Sequence, residues 1–190
     1  MPDPGLGHAT PLSGQGPIYT LDGVTPKVAP DAFIAPTAAV IGDVVVGSET
    51  GIWFHCLVRG DINIIRIGAR TNIQDGTIVH VDTGEGATHI GDDVTVGHNA
   101  VIHACTLRNR AFVGIAATVL DGAVIEEGGM LGAGGLLTPG KVIGRNELWV
   151  GAPAKLVRVM TDQERKRFDR NAEVYRRLAA QFRIGLRSGM

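Results

Sequence analysis

Along most of this chain an apolar residue recurs every six positions. The series includes Ile34, Val40 and Val46 near its start and Leu137 and Ile143 near its end. A period of six is typical of a β-solenoid, in which each repeat supplies one short strand and one turn. We therefore predict an all-β solenoid of hexapeptide repeats, with three repeats to each coil.

The composition agrees with narrow coils. The 190 residues include 27 glycines, and aromatic residues make up only 5%. Tight turns need residues that tolerate positive φ, and a narrow interior holds Val, Ile and Ala better than aromatic rings. The net charge of −1 provides no basic surface for nucleic acid or a membrane, and no apolar run approaches the ~20 residues of a membrane span. We expect neither partner.

The sequence divides into three predicted segments. Residues 1–17 are rich in Gly and Pro and lack the basic and apolar regions of a signal peptide, so we expect a flexible tail. Residues 18–160 carry the repeats and form the predicted β-helix. Residues 161–190 are charged and have a helical pattern, and Thr161 with Glu164 forms a capping box at their start.

The predicted C-terminal helix has an apolar stripe, formed by Phe168, Tyr175, Leu178 and Phe182. Because a single helix is marginal in water, we expect this stripe to pack on a face of the solenoid. The chain has two cysteines, Cys56 and Cys105, which we interpret as small core residues. Two cysteines are too few for a disulfide framework, which suits the reducing cytoplasm, and we expect a cytoplasmic protein.

Two insertions interrupt the six-residue period. Three extra residues fall between Val58 and Ile67, and five lie within residues 81–88, directly after His80. Insertions in solenoids collect on one face, which is often the binding face. If the first forms a bulge, the stacking register continues beyond it, and we expect the second to form a loop beside His80.

Two histidines occupy the same position in the repeat. His80 follows Val79 and His103 follows Ile102, and these apolar residues are three repeats apart once the five-residue insertion is discounted. The two imidazoles should therefore stack on adjacent coils, about 4.8 Å apart, where they can share a metal ion. Three histidines lie outside the candidate site, and we interpret them as surface or structural residues: His8, His55 and His89.

His98 occupies a different position, two places after Val96, and should point toward another corner of the coil. One subunit alone need not bring the three imidazoles together. A three-sided solenoid suggests three-fold symmetry, and a neighbouring subunit can then supply the third imidazole. Three neutral imidazoles and one solvent position make a catalytic zinc site, although cobalt or ferrous iron can occupy similar sites.

Charged residues accompany these histidines in register. Asp75 should stack beneath His98, and Arg59 should lie one coil beneath His80 if the first insertion is a bulge. An Arg–Asp pair beside histidine ligands is chemically coherent, because such groups orient ligands and stabilise charge. Arg59, Asp61 and Asp75 fit an ion-pair network at a subunit interface equally well, and both roles are compatible if the site lies in the interface.

The chain resembles the γ-class carbonic anhydrases and their close bacterial relatives in three segments: residues 58–61 (Val-Arg-Gly-Asp), 72–80 (Asn-Ile-Gln-Asp-Gly-Thr-Ile-Val-His) and 97–103 (Gly-His-Asn-Ala-Val-Ile-His). The resemblance extends over nearly all of the chain after residue 17. It implies a left-handed parallel β-helix and a homotrimer with a metal ion at each subunit interface. It also implies the activity of a lyase, the reversible hydration of CO2 to bicarbonate.

The resemblance further implies a role for each site residue. The metal ligands are expected to be His80 and His103 of one subunit and His98 of the next. Gln74 is expected to orient the attacking water, with Asn72 beside it. The other predicted catalytic residues fall on interface and bicarbonate-site positions of that family: Arg59, Asp61 and Asp75.

Two positions depart from the archetype of that family. Ile62 stands where the archetype has a glutamate, directly after the Arg-x-Asp motif. The loop after His80 is short, with Asp82 and Glu85 as its only acids, whereas the archetype transfers protons through a glutamate in a longer acidic loop. We therefore predict metal binding more firmly than fast CO2 hydration.

Two other functions are compatible with the repeat. A hexapeptide acyltransferase or thioesterase acting on a coenzyme A thioester needs one histidine as general base and an open groove between subunits. A metal-stabilised trimer without catalytic activity uses the histidines only as structural ligands. Three histidines in ligand register favour the metal-dependent lyase over thioester chemistry, which needs only one.

Overall fold

The computed structural model describes residues 16–187. Its elements in chain order are β1 (Ile18–Tyr19), β2 (Lys27–Val28), β3 (Phe33–Ile34), β4 (Ala39–Val46), β5 (Gly51–Ile52), β6 (Leu57–Ile67), β7 (Asn72–Ile73), β8 (Ile78–His80), β9 (Thr88–Ile90), β10 (Thr95–Val96), β11 (Val101–His103), β12 (Thr106–Leu107), β13 (Phe112–Val113), β14 (Thr118–Val119), β15 (Val124–Ile125), β16 (Met130–Leu131), β17 (Leu136–Leu137), β18 (Val142–Ile143), β19 (Glu147–Val150), β20 (Lys155–Val159) and α1 (Asp162–Gly185).

The strands stack into three faces of a left-handed parallel β-helix, which confirms the predicted fold class. The first face contains β3, β5, β7, β10, β13, β16 and β19, and β20 closes it as an antiparallel edge strand. The second face contains β1, β8, β11, β14 and β17, and the third contains β2, β9, β12, β15 and β18. Strands β4 and β6 are long enough to belong to both the second and the third face.

One apolar residue from each repeat fills the interior. Every position of the six-residue series from Ile34 to Ile143 is buried, with at most 3% of its surface exposed. On the second face, for example, Ile102 lies between Val79 and Val119 of the adjacent coils. Burying a Val, Leu or Ile side chain stabilises a fold by about 1.5–3 kcal/mol, so the repeat itself holds the coils together.

The three-residue insertion forms a bulge in β6. Gly42 of β4 pairs with Gly60, and the next pair in register is Val44 with Ile65. Asp43 therefore stands opposite four residues, 61–64, where an uninterrupted repeat has one. These four residues are the bulge, and they include Asp61 of the predicted site.

The five-residue insertion forms a loop, residues 82–87, between β8 and β9. A backbone hydrogen bond of 2.8 Å from Asp82 N to Gly86 O closes it. The bulge supports this loop, because the Asn63 side-chain amide donates to the carbonyl oxygens of Asp82 (3.0 Å) and Gly84 (2.9 Å). The two insertions therefore form one local structure at the end of β8.

Helix α1 begins at the predicted capping box. The Thr161 hydroxyl accepts a hydrogen bond from the backbone N–H of Glu164, whose carboxylate accepts one from the Thr161 N–H. The apolar stripe packs on the solenoid: Tyr175 and Phe182 meet Trp53 with ring centroids 5.4 Å and 5.2 Å apart. The other predicted members of the stripe also contact the coils, namely Phe168 and Leu178.

Polar contacts set the direction of α1 along the solenoid. Near its start, Arg165 donates a hydrogen bond to the side chain of Asn146, which precedes β19 in the last coil. Further along, Arg176 forms an ion pair of 2.5 Å with Glu49, at the turn before β5. The helix therefore runs from the last coil back toward the first.

The predicted flexible tail, residues 1–17, lies outside the described residues except for its last two positions, and His8 lies outside them with it. Residues 188–190 of the predicted C-terminal segment also lie outside them. Gly16 N donates to Ile34 O (2.8 Å), and Val40 N donates to Pro17 O (3.1 Å). Backbone pairing is thus present immediately before residue 18. Within residues 16–187, no helix combines the length and the apolar character that a membrane span requires.

Candidate metal centre

His80 and His103 stack on the second face, as their register predicts. They are paired residues at the ends of β8 and β11. Both side chains point out of the solenoid, because Val79 and Ile102, which directly precede them, point in. His80 Nδ1 lies 3.2 Å from His103 Nε2, and the ring centroids are 5.2 Å apart. One nitrogen of each ring therefore faces the other ring.

The outer nitrogen of His80 contacts the bulge. His80 Nε2 lies 3.0 Å from Asp61 Oδ1, within hydrogen-bonding distance, and the other oxygen of Asp61 forms an ion pair with Arg59. Burial opposes ionisation of Asp61, but the hydrogen bond with His80 and the charge of Arg59 outweigh it and hold the pKa of the carboxyl below its usual value. Register places Arg59 one coil below His80, since Val58 pairs with Val79.

The outer nitrogen of His103 also contacts an aspartate, and sequence analysis missed this residue. Asp121, in the turn after β14, lies 2.5 Å from His103 Nδ1. A signal for this contact exists in the repeat. Val119 pairs with Ile102, so the residues that follow Val119 must run beside His103.

His98 lies in the turn after β10, at a corner between the first and second faces. Its Nδ1 is 3.0 Å from Asp75 Oδ2, so Asp75 lies beneath it as register predicts. Its Nε2 is 3.3 Å from the hydroxyl of Tyr175 in α1. The repeat could not reveal this last contact, because α1 lies outside it, and Tyr175 was predicted to have a packing role only.

The single chain brings together two of the three predicted ligands. Among residues 16–187, no group of three or more His, Cys, Asp or Glu side chains is arranged to hold a metal ion. His80 and His103 contact each other, whereas the polar neighbours of His98 are Asp75 and Tyr175.

Asn72 and Gln74 form a buried chain of amides on the first face. Gln74 Nε2 donates to Asn72 Oδ1 at 3.0 Å, and Asn72 Nδ2 donates to Thr95 Oγ1 at 2.9 Å. Both side chains are at most 4% exposed, and α1 contacts β7 on this face. The next residue, Asp75, accepts a hydrogen bond of 3.2 Å from the backbone N–H of Phe54, which fixes it beside His98.

Both cysteines are core residues. Cys56 and Cys105 are each 2% exposed, and burial raises the pKa of each thiol to about 12. Cys56 Sγ donates to Gln74 O at 3.1 Å. A thiol with so high a pKa stays protonated at neutral pH and is a poor metal ligand, so the interpretation of both residues as packing residues fits their surroundings.

The histidine pair fits a tetrahedral metal ion. Tetrahedral zinc with metal–nitrogen distances of about 2.0–2.1 Å requires two ligand nitrogens roughly 3.3 Å apart. The facing nitrogens of His80 and His103 are separated by 3.2 Å. Each of the three predicted ligands also has an aspartate within hydrogen-bonding distance of one ring nitrogen, which is the usual arrangement around metal-binding histidines.

Comparison with known proteins supports the resemblance found in the sequence. Gamma carbonic anhydrase 2, mitochondrial, of Arabidopsis thaliana is 48% identical over 160 residues, which are 82% of this chain and 58% of that protein. The chain thus spans less than two thirds of that relative. A carbonic anhydrase of Geobacillus kaustophilus is 43% identical over 158 residues, which are 83% of this chain and 86% of that protein.

A solved structure is similar over most of the chain. The hexapeptide transferase family protein from Anaplasma phagocytophilum has a TM-score of 0.84 and 47% sequence identity, over 87% of this chain and 98% of that one. The chain matches no family model. Fold and site together define a hexapeptide-repeat β-helix with a histidine-based candidate metal centre. By its relatives, the chain belongs to the γ-class carbonic anhydrase family.

Proposed function

We propose that this protein is a zinc-dependent lyase that reversibly hydrates CO2 to bicarbonate. The observation that carries the proposal is the pair of facing imidazole nitrogens, His80 Nδ1 and His103 Nε2, whose separation of 3.2 Å matches the roughly 3.3 Å that a tetrahedral ion requires. Relatives named carbonic anhydrase support the same reaction. Zinc is the metal of choice for three imidazoles and one solvent position, with cobalt and ferrous iron as chemically acceptable substitutes.

The site is proposed to lie between subunits of a homotrimer, with His98 supplied by the neighbour. The outward-pointing side chains two residues before His80 and His103, and at the equivalent positions of other coils, are mostly apolar, which supports burial of this face. Leu57, Ile78, Val101 and Leu136 occupy equivalent positions there in register, joined by Thr118 between the last two. Ile78 is 43% exposed in the single chain. An apolar column of this kind beside a polar site is the pattern expected of a subunit contact.

A metal ion held by His80, His103 and His98 of the partner subunit would supply an activated water molecule as the nucleophile for CO2. The chain's own residues have positioning roles. Asp61 and Asp75 hold the outer nitrogens of His80 and His98, and Arg59 balances the charge of Asp61 next to the position of the bicarbonate. The Gln74 side chain is fixed by its bond to Asn72, which leaves its carbonyl oxygen to orient the attacking water.

Proton transfer is proposed to limit the rate. Ile62, 54% exposed in the bulge, occupies the position of one archetypal glutamate. Asp82 and Glu85 are the acids of the loop after His80, and Asp82 already accepts a hydrogen bond from Thr83 N at 2.7 Å. A well-placed proton-transfer group contributes about 10²–10⁴-fold to such a step, so its replacement by exposed loop acids should slow turnover.

We retain the cytoplasm as the proposed compartment, where two reduced, buried cysteines are stable.

Mixed trimers test both the ligands and the shared site. His80→Ala and His98→Ala should each lose most bound zinc when measured by elemental analysis after loading and desalting. When the two variants are unfolded together and refolded in equal amounts, about a quarter of the interfaces should combine an intact His80 with an intact His98 and regain zinc. His89→Ala, an exposed histidine on the third face, serves as the control and should bind as much zinc as the unaltered protein.

Absence of zinc recovery in mixed trimers, once mixing is verified by mass spectrometry, would refute the shared site. Loss of zinc from His89→Ala would refute the ligand assignment. Similarity to the hexapeptide transferase family protein of Anaplasma phagocytophilum keeps acyl transfer as the second candidate function. Binding of coenzyme A without zinc would favour that candidate, and a zinc-loaded trimer that hydrates no CO2 even with added imidazole buffer would indicate a structural metal.

A further inference from the structure

Asp121 is fixed by the two neighbouring coils. Its own carbonyl oxygen accepts a hydrogen bond of 2.9 Å from Gly140 N, and the N–H of the next residue, Gly122, donates to Ala104 O at 2.8 Å. Gly122 has a φ of +66°, which lets the chain turn immediately after Asp121. The backbone of Asp121 is therefore held on both sides, and its side chain leaves the turn in a defined direction.

The only side-chain partner of Asp121 among the described residues is His103. The contact is 2.5 Å long, and no Lys or Arg of residues 16–187 forms an ion pair with this carboxylate. Both groups are partly shielded, with side-chain exposures of 29% for His103 and 47% for Asp121. An aspartate that meets one imidazole and no cation is placed to orient that ring, whereas Asp61 divides its two oxygens between His80 and Arg59.

A carboxylate accepts hydrogen bonds and does not donate them, so the contact with Asp121 requires the ring proton on His103 Nδ1. The lone pair of a neutral His103 is then on Nε2, the nitrogen that faces His80. We infer that Asp121 is a positioning residue that fixes the tautomer and the ring orientation of His103, so that Nε2 is ready to bind the metal. The inference deepens the proposed function and rests on it for its consequence in metal binding.

The tautomer is measurable without metal. In zinc-free protein labelled with ¹⁵N-histidine, long-range ¹H–¹⁵N spectra distinguish protonated from unprotonated ring nitrogens, and His103→Gln identifies the signals of His103. We expect a protonated Nδ1 in the unaltered protein and a shift toward protonated Nε2 in Asp121→Ala. Asp121→Asn keeps an oxygen acceptor at the same place and should retain most of the original tautomer. Because Asp121 is half-exposed, neither change leaves a core cavity.

Zinc affinity is the second measurement, by competition with a chromophoric chelator. Asp121→Ala should bind zinc about 10- to 100-fold more weakly, with a smaller loss in Asp121→Asn, because removal of a histidine's carboxylate partner typically has this effect. The matched control is Asp169→Asn, which removes a carboxylate of similar exposure (39%) whose partner is Arg110. The control should keep both the His103 tautomer and the zinc affinity of the unaltered protein.

The two hypotheses fail in different ways. An unaltered tautomer and unaltered zinc affinity in Asp121→Ala would overturn the positioning role, while zinc binding by the unaltered protein would leave the proposed function standing. Failure of the unaltered protein to bind zinc would contradict the proposed function, and the tautomer comparison in zinc-free protein would still decide whether Asp121 orients His103.

Discussion

Two parts of the β-helix share one interior but differ in regularity. In the regular part, residues 112–143, six strands of two residues each follow at intervals of six. In the irregular part, residues 39–107, strands β4 and β6 reach 8 and 11 residues, and the bulge and the loop interrupt the repeat. All three predicted metal ligands lie in the irregular part. The repeat specifies the scaffold and stacks the histidines, and the bulge adds Asp61 beside them.

The largest expected effects come from equivalent core truncations on the second face of the two parts. Ile102→Ala lies in the irregular part and Leu137→Ala in the regular part, and both side chains are at most 1% exposed. Each should lower the free energy of unfolding by about 2–5 kcal/mol in denaturant titrations, because each leaves a cavity. Only Ile102→Ala should also weaken zinc binding, since Ile102 precedes His103. An equal loss of zinc affinity in Leu137→Ala would mean that the two parts are not separable in function.

A medium effect is expected where the two insertions meet. Asn63→Ala removes both hydrogen bonds from the bulge to the loop, each worth about 0.5–1.5 kcal/mol at most because the site is exposed. Hydrogen exchange of residues 82–87 should accelerate. The control is Asn109→Ala, because the Asn109 side chain accepts a hydrogen bond from Asp92 N at another corner of the solenoid. Faster loop exchange in the control as well would show that the loop depends on the coils in general, and not on the bulge.

The smallest effect concerns helix α1, which spans both parts. Hydrogen bonds from Arg176 and Arg177 lower the pKa of Glu173 to about 2, and those from Arg158 and Thr161 lower that of Glu164 to about 2. A lowered pKa in the folded state adds stability above the ordinary value near 4.5, and this stability is lost as the pH falls from there toward 2.

Hydrogen exchange of α1 between pH 5 and pH 2.5 measures this dependence. Exchange, corrected for its intrinsic pH dependence, should rise modestly on acidification. Glu173→Gln should reduce this acid-induced rise in exchange in the segment of α1 beside the irregular part, where Arg176 also binds Glu49. Glu164→Gln should reduce it at the N-terminal end of the helix. An unchanged response in both variants would assign the acid sensitivity of the helix to other groups.

The sequence predicts those contacts that follow from the repeat. Stacking of His80 on His103 and of Asp75 beneath His98 requires only that equivalent positions coincide on adjacent coils. The repeat does not predict the contact between Asp61 and His80, because a bulge can orient its side chains in several ways. The contact between Tyr175 and His98 joins residues 77 positions apart on different kinds of element. It depends on how α1 docks on the solenoid. The packing of aromatic rings determines that docking, and the six-residue repeat does not predict it.

The direction of α1 has a consequence for how this molecule comes apart. In a stack of coils each unit touches only its neighbours, so such a protein can lose its end coils one at a time. Here one continuous helix is bound to Asn146 in the last coil and, through Phe182, to Phe33 of β3, the first strand of its face, with ring centroids 5.9 Å apart. Local unfolding at either end therefore breaks contacts of α1 that also hold the other end. This coupling makes the coils unfold cooperatively and not one at a time.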